Sequence, residues 1–305
     1  MHFTFHQLQI FVEVVKQSSI TKASEVLHLT QPAVSIQLKK LQEQFSIPLT
    51  EVVGRKLYVT PFGLEIAQEA QEILDKYDRI NQKIDMYHGK LAGNLSVAVV
   101  STGKYVMPYY LSGFVNAHPA IEFRMDVTNK LRVVEDLEQN KVDFALVSVL
   151  PEHLELETIP LLKNELFLVG GTQRLQQQKI AKKRIFEDGP LLFREYGSAT
   201  RNAMETFIKQ QDLLVKKKIE LTSNEALKQA VIAGLGYSIM PMIGIKNAVE
   251  TGQISVIPFK GLPITTEWNL VCLKKKKLSP VAEAFIAYIH TEKEAINTTY
   301  FDWVN

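Results

Sequence analysis

At 305 residues the chain is long enough for two domains with buried cores, and its 46% hydrophobic and 22% charged residues are those of an ordinary soluble globular protein. A formal net charge of +2 offers no whole-chain argument for nucleic acid, so any basic partner surface has to be local. The single cysteine, Cys272, excludes an internal disulfide, and no apolar run reaches the length of a membrane span.

The first twenty residues carry His2, His6, Glu13 and Lys16 and no continuous apolar segment. That argues against a secretory signal, and the chain reads as cytoplasmic. Phe5, Leu8, Phe11, Val12 and Val15 fall on one face of a first helix over residues 5–18. "SSIT" interrupts it. Ser19 or Thr21 can cap a second helix over residues 22–29, with Ala23, Val26 and Leu27 turned inward. "TQPAVSIQLKKLQEQF", residues 30–45, forms a third helix with Thr30 as N-cap. Pro32 sits in its first turn, where a missing N–H loses no intrahelical bond. Val34, Leu38, Leu41 and Phe45 make its buried stripe, and "KLYVT", residues 56–60, alternates as a short strand after the turn at Gly54. Three helices, a very tight turn between the second and third, and a strand ribbon predict a winged helix-turn-helix over residues 1–60.

On the third helix Pro32, Ile36 and Lys39 point away from the stripe, Ser35 and Lys40 flank them, and Gln31 stands at the N-terminal tip. A glutamine can pair with adenine, a serine with several base edges, and Pro32 or Ile36 with a thymine methyl. Lys39, Lys40, Arg55 and Lys56 stand where such a head meets phosphates, and Thr21 joins the DNA-facing set at the start of the second helix. A protein–protein surface is the alternative, because Ile36 is apolar.

Ile66, Ala70, Ile73, Tyr77, Ile80, Ile84 and Tyr87 are spaced 4, 3, 4, 3, 4, 3, with Glu65, Glu69, Glu72, Lys76, Arg79 and Lys83 between them. This heptad predicts a linker helix over residues 61–90 that pairs two chains. The alternative is a helix lying on its own domain.

Strands and helices then alternate over residues 91–305. "LSVAVV", "IEFRMDV", "FALVSVL", "LFLVG", "PLLFRE", "KIELT", "YSIMP", "ISVIPF" and "EWNLVCL" read as strands, with helices between them and a last one over residues 280–291. The pattern predicts an α/β domain with a mostly parallel sheet. The aromatic tail "TTYFDWVN" either docks on it or stays mobile.

No catalytic constellation is present. "STGKY" at 101–105 lacks the leading glycine and the Ser or Thr of a phosphate-binding loop, and "GLG" at 234–236 follows a helix instead of a strand. The seven histidines are scattered, so no metal and no cofactor are expected, and Cys272 reads as a small hydrophobe in a strand. The basic runs at 182–184, 216–218 and 274–277 read as solvated turns. These features indicate a binding protein, not an enzyme.

"ITKASEVLHLTQPAVSIQLKKLQ" and "GRKLYVTPFG" resemble the head of a LysR-type transcriptional regulator. "STGKYVMPYYLSGFVNAHP", "LLFREYGSATRNAMETF", "SNEALKQAVIAGLG" and "LPITTEW" extend the resemblance over nearly the whole chain, toward the branch of RuBisCO-operon and sulfur-metabolism regulators. Thr50 stands where that family usually has Phe, Val52 where it has Arg, Ser24 where it has Ala, and Ile36 where it has a polar or basic residue. The resemblance implies a two-lobed α/β effector domain like the periplasmic binding proteins, with lobe I over 91–163 and 267–305 and lobe II over 164–266. It implies a small, anionic effector between the lobes, contacted by Ser101, Thr102, Thr128, Asn129, Phe193, Arg194, Ser198, Thr200 and Ser223. Hydroxyls and backbone N–H groups at helix starts beyond strand ends independently suit an anion. Simple N-capping is the alternative for Ser101, Thr102 and Thr128, and a salt bridge to Glu195 or a neighbour for Arg194. Expected partners are double-stranded DNA, the effector, a second copy through the linker helix, a homotetramer, and RNA polymerase, with no membrane. A cytoplasmic solute-binding protein with an atypical N-terminal domain is the competing reading.

Overall fold

The computed structural model describes residues 2–54, 56–87, 91–177 and 184–304, and only the backbone of residues 78, 79 and 81–87. Arg55 and the side chains of Ile84 and Tyr87 therefore lie outside the described residues. The chain divides into two compact units, Met1–Lys90 and Leu91–Asn305.

The first unit contains α1 (Phe5–Gln17), α2 (Ile20–Val26), α3 (Gln31–Gln42), β1 (Thr50–Val53), β2 (Lys56–Val59) and α4 (Pro61–Tyr87). Each short helix starts on a side-chain cap. Thr4 and Gln7 form a reciprocal capping box on α1, Ser19 accepts from the Lys22 N–H, and Thr30 accepts from the Ala33 N–H. β1 and β2 pair antiparallel around Gly54, whose φ of +67° suits the turn.

Two inward-facing expectations are corrected. Phe5 is exposed, while Ile10 and Val14 are fully buried, because α1 packs against α4 as well as α2 and α3. Val26 is also exposed: α2 ends there, so only its Ala23 and Ser24 face meets the core. Ser24 is accommodated because its hydroxyl donates to the Thr21 carbonyl at 2.7 Å. Gln42 pins the wing to α3, accepting from the Leu49 N–H at 2.6 Å and donating to the Ile47 carbonyl at 3.3 Å.

The linker helix α4 is buried against its own head at its start and exposed further along. Thr60 caps it, accepting from the Gly63 N–H at 2.9 Å, and a Cβ on Gly63 would lie 2.0 Å from the Leu49 carbonyl oxygen. Close to that approach, Ala67, Ala70 and Leu74 are buried in the head core, with Ile66 packed beside them. The expectation of one free seam from Ile66 to Tyr87 is thus corrected at its start: Ala70 is 1% exposed against its own head. Ile73, Tyr77 and Ile80 remain exposed, with the Tyr77 ring 5.2 Å from that of Phe5.

The second unit runs β3 (Gly93–Val100), α5 (Met107–Ala117), β4 (Ile121–Thr128), α6 (Lys130–Glu138), β5 (Phe144–Val147), β6 (Leu156–Gly171), α7 (Thr172–Gln177), α8 (Ile185–Asp188), β7 (Leu191–Arg194), α9 (Ala199–Gln210), β8 (Lys218–Leu221), α10 (Asn224–Ile232), β9 (Tyr237–Pro241), α11 (Lys246–Glu250), β10 (Ile254–Val256), β11 (Ile264–Leu273) and α12 (Pro280–Tyr300). The strand order is β4-β3-β5-β11-β6-β9-β7-β8, with β10 beside β6.

The sheet is mixed, which corrects the mostly parallel expectation. β3–β4, β3–β5, β7–β8 and β7–β9 are parallel, but β6 and β11 are long strands that run antiparallel to each other and join the two halves. β6 continues from its pairing with β11 into an antiparallel pairing with β9, while β11 pairs antiparallel with β5. Each half keeps its own core. One contains Val99, Phe114, Phe144, Trp268 and Phe285; the other contains Leu168, Phe186, Leu191, Phe207 and Ile239. The tail docks: α12 extends to Tyr300, and Phe301 is buried, stacked 6.0 Å from Tyr110. Of the basic runs, Lys276 departs from the solvated reading, since it is largely buried, 3.1 Å from Asp143.

Candidate functional site

On α3 the structure leaves Gln31, Pro32, Ser35, Ile36, Lys39 and Lys40 exposed and buries Val34, Leu38 and Leu41. Six residues of the required types thus share one free helix face, with Gln31 at its N-terminal end. Thr21 at the start of α2 and Lys56 on β2 are also exposed. Beside Lys56 and the exposed Glu51, the wing presents Val52 and Val53 at 69% and 63% exposure. Helix, tip glutamine and flanking lysines can read base edges and phosphates; the two valines of the wing can add apolar contact beside Lys56.

The second site lies where the two halves of the α/β unit meet. Ser101 follows β3, and Thr128 ends the neighbouring β4. The Ser101 hydroxyl donates to the Thr128 carbonyl at 3.2 Å and accepts from Arg194 Nη2 at 3.1 Å. Arg194 ends β7 in the other half and is 3% exposed. Its Nε and Nη2 donate to the two oxygens of Glu195, both at 2.8 Å, and its Nη1 donates to Asn224 Oδ1. An arginine only donates, so the Asn224 oxygen has to face it, and the amide nitrogen is left buried without a partner. Tyr105 makes a second bridge between halves, its hydroxyl 3.4 Å from Glu225 on α10. Burial raises the Tyr105 pKa, with nearby Lys228 opposing.

Helix starts converge here. Ser198 caps α9 and is buried, with Thr200 in the first turn; Asn129 caps α6, accepting from the Arg132 N–H at 3.0 Å. Thr102 is buried beside Ser101 and makes no side-chain cap. Between Ser101, Thr102, Asn129, Arg194, Ser198 and Thr200 the gap narrows to a cavity of about 10 Å³, room for roughly one water. It adjoins a larger cavity of about 420 Å³ beside α9, lined by Val149, Asn202, Thr206, Gln210 and Thr266 among others. Lys130 lines both. Burial lowers its pKa, and the charge of Glu152 partly offsets this.

Two expected site residues lie elsewhere. Phe193 is buried in the core of its half, because it alternates with Arg194 along β7 and points to the other side, under the Lys218 ammonium at 5.4 Å. Ser223 is exposed and occupied in capping α10, accepting from the Ala226 N–H at 3.0 Å; its neighbour Asn224 faces Arg194 instead. Sequence reasoning left Lys130 out of the site and, of the pair Ser223 and Asn224 at one helix start, assigned the contact to Ser223. The available signal was the place of Lys130 and Asn224: each is the first residue of a helix, immediately after an N-cap.

Among the described residues no group of three or more His, Cys, Asp or Glu is placed to hold a metal, and no helix is long and apolar enough to cross a membrane. Comparison with known proteins follows the same division of the chain. Residues 5–64 match the bacterial regulatory helix-turn-helix protein, lysR family, and residues 88–294 match the LysR substrate binding domain. The HTH-type transcriptional activator CmpR of Synechocystis sp. is 34% identical over 96% of this chain and 97% of its own length. A RuBisCO operon transcriptional regulator of Acidithiobacillus ferrooxidans is 34% identical over 94% of each. Among solved structures, the regulatory domain of CcmR from Synechocystis PCC6803, in complex with 2-PG, superposes with a TM-score of 0.61 at 28% identity, covering 66% of this chain and 98% of that one. The chain belongs to the LysR family of transcriptional regulators, in the company of the CmpR and RuBisCO-operon proteins.

Proposed function

We propose that this chain is a cytoplasmic regulator that places α3 in the major groove and responds to a small anionic metabolite held between the halves of residues 91–305. Thr21, Thr30, Gln31, Pro32, Ser35, Ile36, Lys39, Lys40 and Lys56 form the DNA-facing set; Arg55, outside the described residues, joins it on the sequence pattern alone. Residues 1–60 are the head, 61–90 the linker, and 91–305 the effector domain, with lobes at 91–163 plus 267–305 and at 164–266. The linker pairs two copies through Ile73, Tyr77 and Ile80, and two such dimers form the working tetramer, which contacts RNA polymerase when it activates.

One observation carries the effector reading: the starts of α6 and α9 and the end of β3 converge on a cleft that adjoins a cavity of about 420 Å³. Helix N-termini and hydroxyls favour negative charge there. That the CcmR regulatory domain holds 2-PG supports an acid of similar size. The test is a gel shift on DNA selected from a random pool by the full-length protein. 2-PG is expected to change the affinity or the footprint on a two-half-site fragment; an identical shift and footprint with and without it count against 2-PG as the effector. The relatives are named as regulators, and this function needs no catalysis and no cofactor.

A further inference from the structure

Two cations stand at the cleft, and they are not equivalent. Arg194 is largely committed: Glu195 takes two of its five donors at 2.8 Å, and Asn224 and Ser101 take two more. Its charge is compensated at a distance where a fork-to-fork pair is strongest, so little attraction is left over for a second anion. Lys130 is different. It is half-buried at the first position of α6, and among the described residues its ammonium makes no ion pair and no hydrogen bond. Of the charged groups around it, only Glu152 favours its charged form, and that residue is exposed. A desolvated, unpaired ammonium costs stability, and a protein retains one where a ligand completes it.

Position strengthens the case. Among the described residues Lys130 is the one charged residue lining the larger cavity, whose other polar groups are the uncharged side chains of Asn202, Thr206, Gln210, Gln211 and Thr266. It also borders the narrow gap with Ser101, Thr102, Ser198 and Thr200. We infer that Lys130, and not Arg194, is the specificity-determining cation for the effector, which places an acidic group between Lys130 and the hydroxyls of the narrow gap and turns the rest of the molecule along α9. Arg194 is then a positioning residue that holds Ser101 and Asn224 across the two halves. This rests on the cleft being the effector site. It narrows the ligand class to acids compact enough for an acidic group to reach Lys130 and the narrow gap together, with the other polar groups of the molecule meeting the amides and hydroxyls along α9.

The test uses full-length protein and titration calorimetry with three probes: 2-PG, glycerol 3-phosphate and inorganic phosphate. Wild type is compared with Lys130→Met, Lys130→Arg and Thr102→Val. Wild type is expected to bind at least one organic probe. Lys130→Met is expected to weaken that binding by about tenfold or more, with Lys130→Arg between the two. Thermal unfolding supplies the readout that a structural role would not give: Lys130→Met removes an uncompensated charge and keeps the stem, so its Tm in the absence of probe should equal or exceed that of wild type. Binding within twofold of wild type in Lys130→Met, alongside a loss in Thr102→Val, would overturn the assignment of Lys130 and leave the cleft standing. Unchanged binding in both variants would move the effector site itself. Failure of wild type to bind any of the three overturns both.

Discussion

Arg194 and Ser101 come from opposite halves of the effector domain, and their side chains meet at 3.1 Å. The bond matters because of what stands behind it. Ser101 passes the connection to the Thr128 carbonyl at the end of β4, and Arg194 passes it to Glu195 and to Asn224 at the start of α10. Four segments of the cleft are thus tied through one nearly buried guanidinium. On the proposed effector reading, a ligand acid entering the gap competes for Ser101 while leaving the Glu195 pair intact, and so couples binding to the contact between the halves.

Removal of the guanidinium should therefore be felt as instability. Arg194→Ala leaves the Glu195 carboxylate, 17% exposed, without its partner, and is expected to cost about 3 kcal/mol. The double variant Arg194→Ala, Glu195→Gln should recover much of that loss, because the abandoned charge goes with it. Thermal or urea unfolding of wild type and the two variants checks this. Equal losses in the single and double variants would show that Glu195 was never held by Arg194.

Much of this site was legible in the sequence because the signals are local. N-caps such as Thr30, Ser198 and Ser223 announce themselves by residue type and by the helix that follows, and all three cap in the structure. Which member of a pair faces the cleft is not local. Phe193 and Arg194 are adjacent, and the sheet's alternation sends one to the core and the other to the gap. Ser223 and Asn224 divide in the same way at a helix start. Ala70 fits a heptad as well as it fits a head core, and only the approach of α4 at Gly63 decides between them. The burial of Lys130 depends on a cavity wall supplied by α9, some seventy residues further on, far outside the window of about 11–18 residues over which sequence periodicity informs.

The exposed face of α3 leads to a contrast between two substitutions. Gln31 stands at the helix tip and Lys40 on its flank. Gln31→Ala is expected to reduce the ratio of specific to non-specific binding, by about 1–3 kcal/mol at the base it reads. Lys40→Ala should weaken both kinds of binding alike and lower the salt dependence by about one counterion. Anisotropy titrations on a selected site and a scrambled one, at several salt concentrations, separate the two. Unchanged discrimination in Gln31→Ala would remove that residue from the base-reading set.

The linker helix is exposed at Ile73 and Ile80 and buried in its own head at Ala70. Aspartate at both exposed positions should break pairing between chains without unfolding the head, whereas Ala70→Asp should unfold the head itself. Residues 1–90 form a compact unit, so sedimentation and circular dichroism of that fragment discriminate. The double variant is expected to be monomeric with its helices retained. A dimer surviving in it would place the pairing surface off this stripe.

Cys272 supplies a test with a pH axis. It is buried on β11, and its thiol lies 3.9 Å from the Glu157 carboxylate. Burial first, and then the charge of Glu157, push its pKa up to about 11. A folded-state value above that of a free thiol, about 8.5, means that the native chain keeps its proton where the unfolded chain gives it up. Two consequences have definite signs. At pH 8 the native thiolate is roughly one part in a thousand, so a thiol reagent should label native protein far more slowly than denatured protein. Stability contributed by the protonated thiol is complete below about pH 8.5 and falls as the pH rises toward 11, because the unfolded state loses its proton first. Cys272→Ala should flatten that part of the stability curve, although its smaller side chain lowers the whole of it by leaving a small void. Urea unfolding at pH 7.5, 9 and 10, with labelling measured in parallel, checks both. Native labelling at the denatured rate, or an unaltered pH slope in Cys272→Ala, would mean that the thiol is neither shielded nor titrating as its surroundings on β11 require.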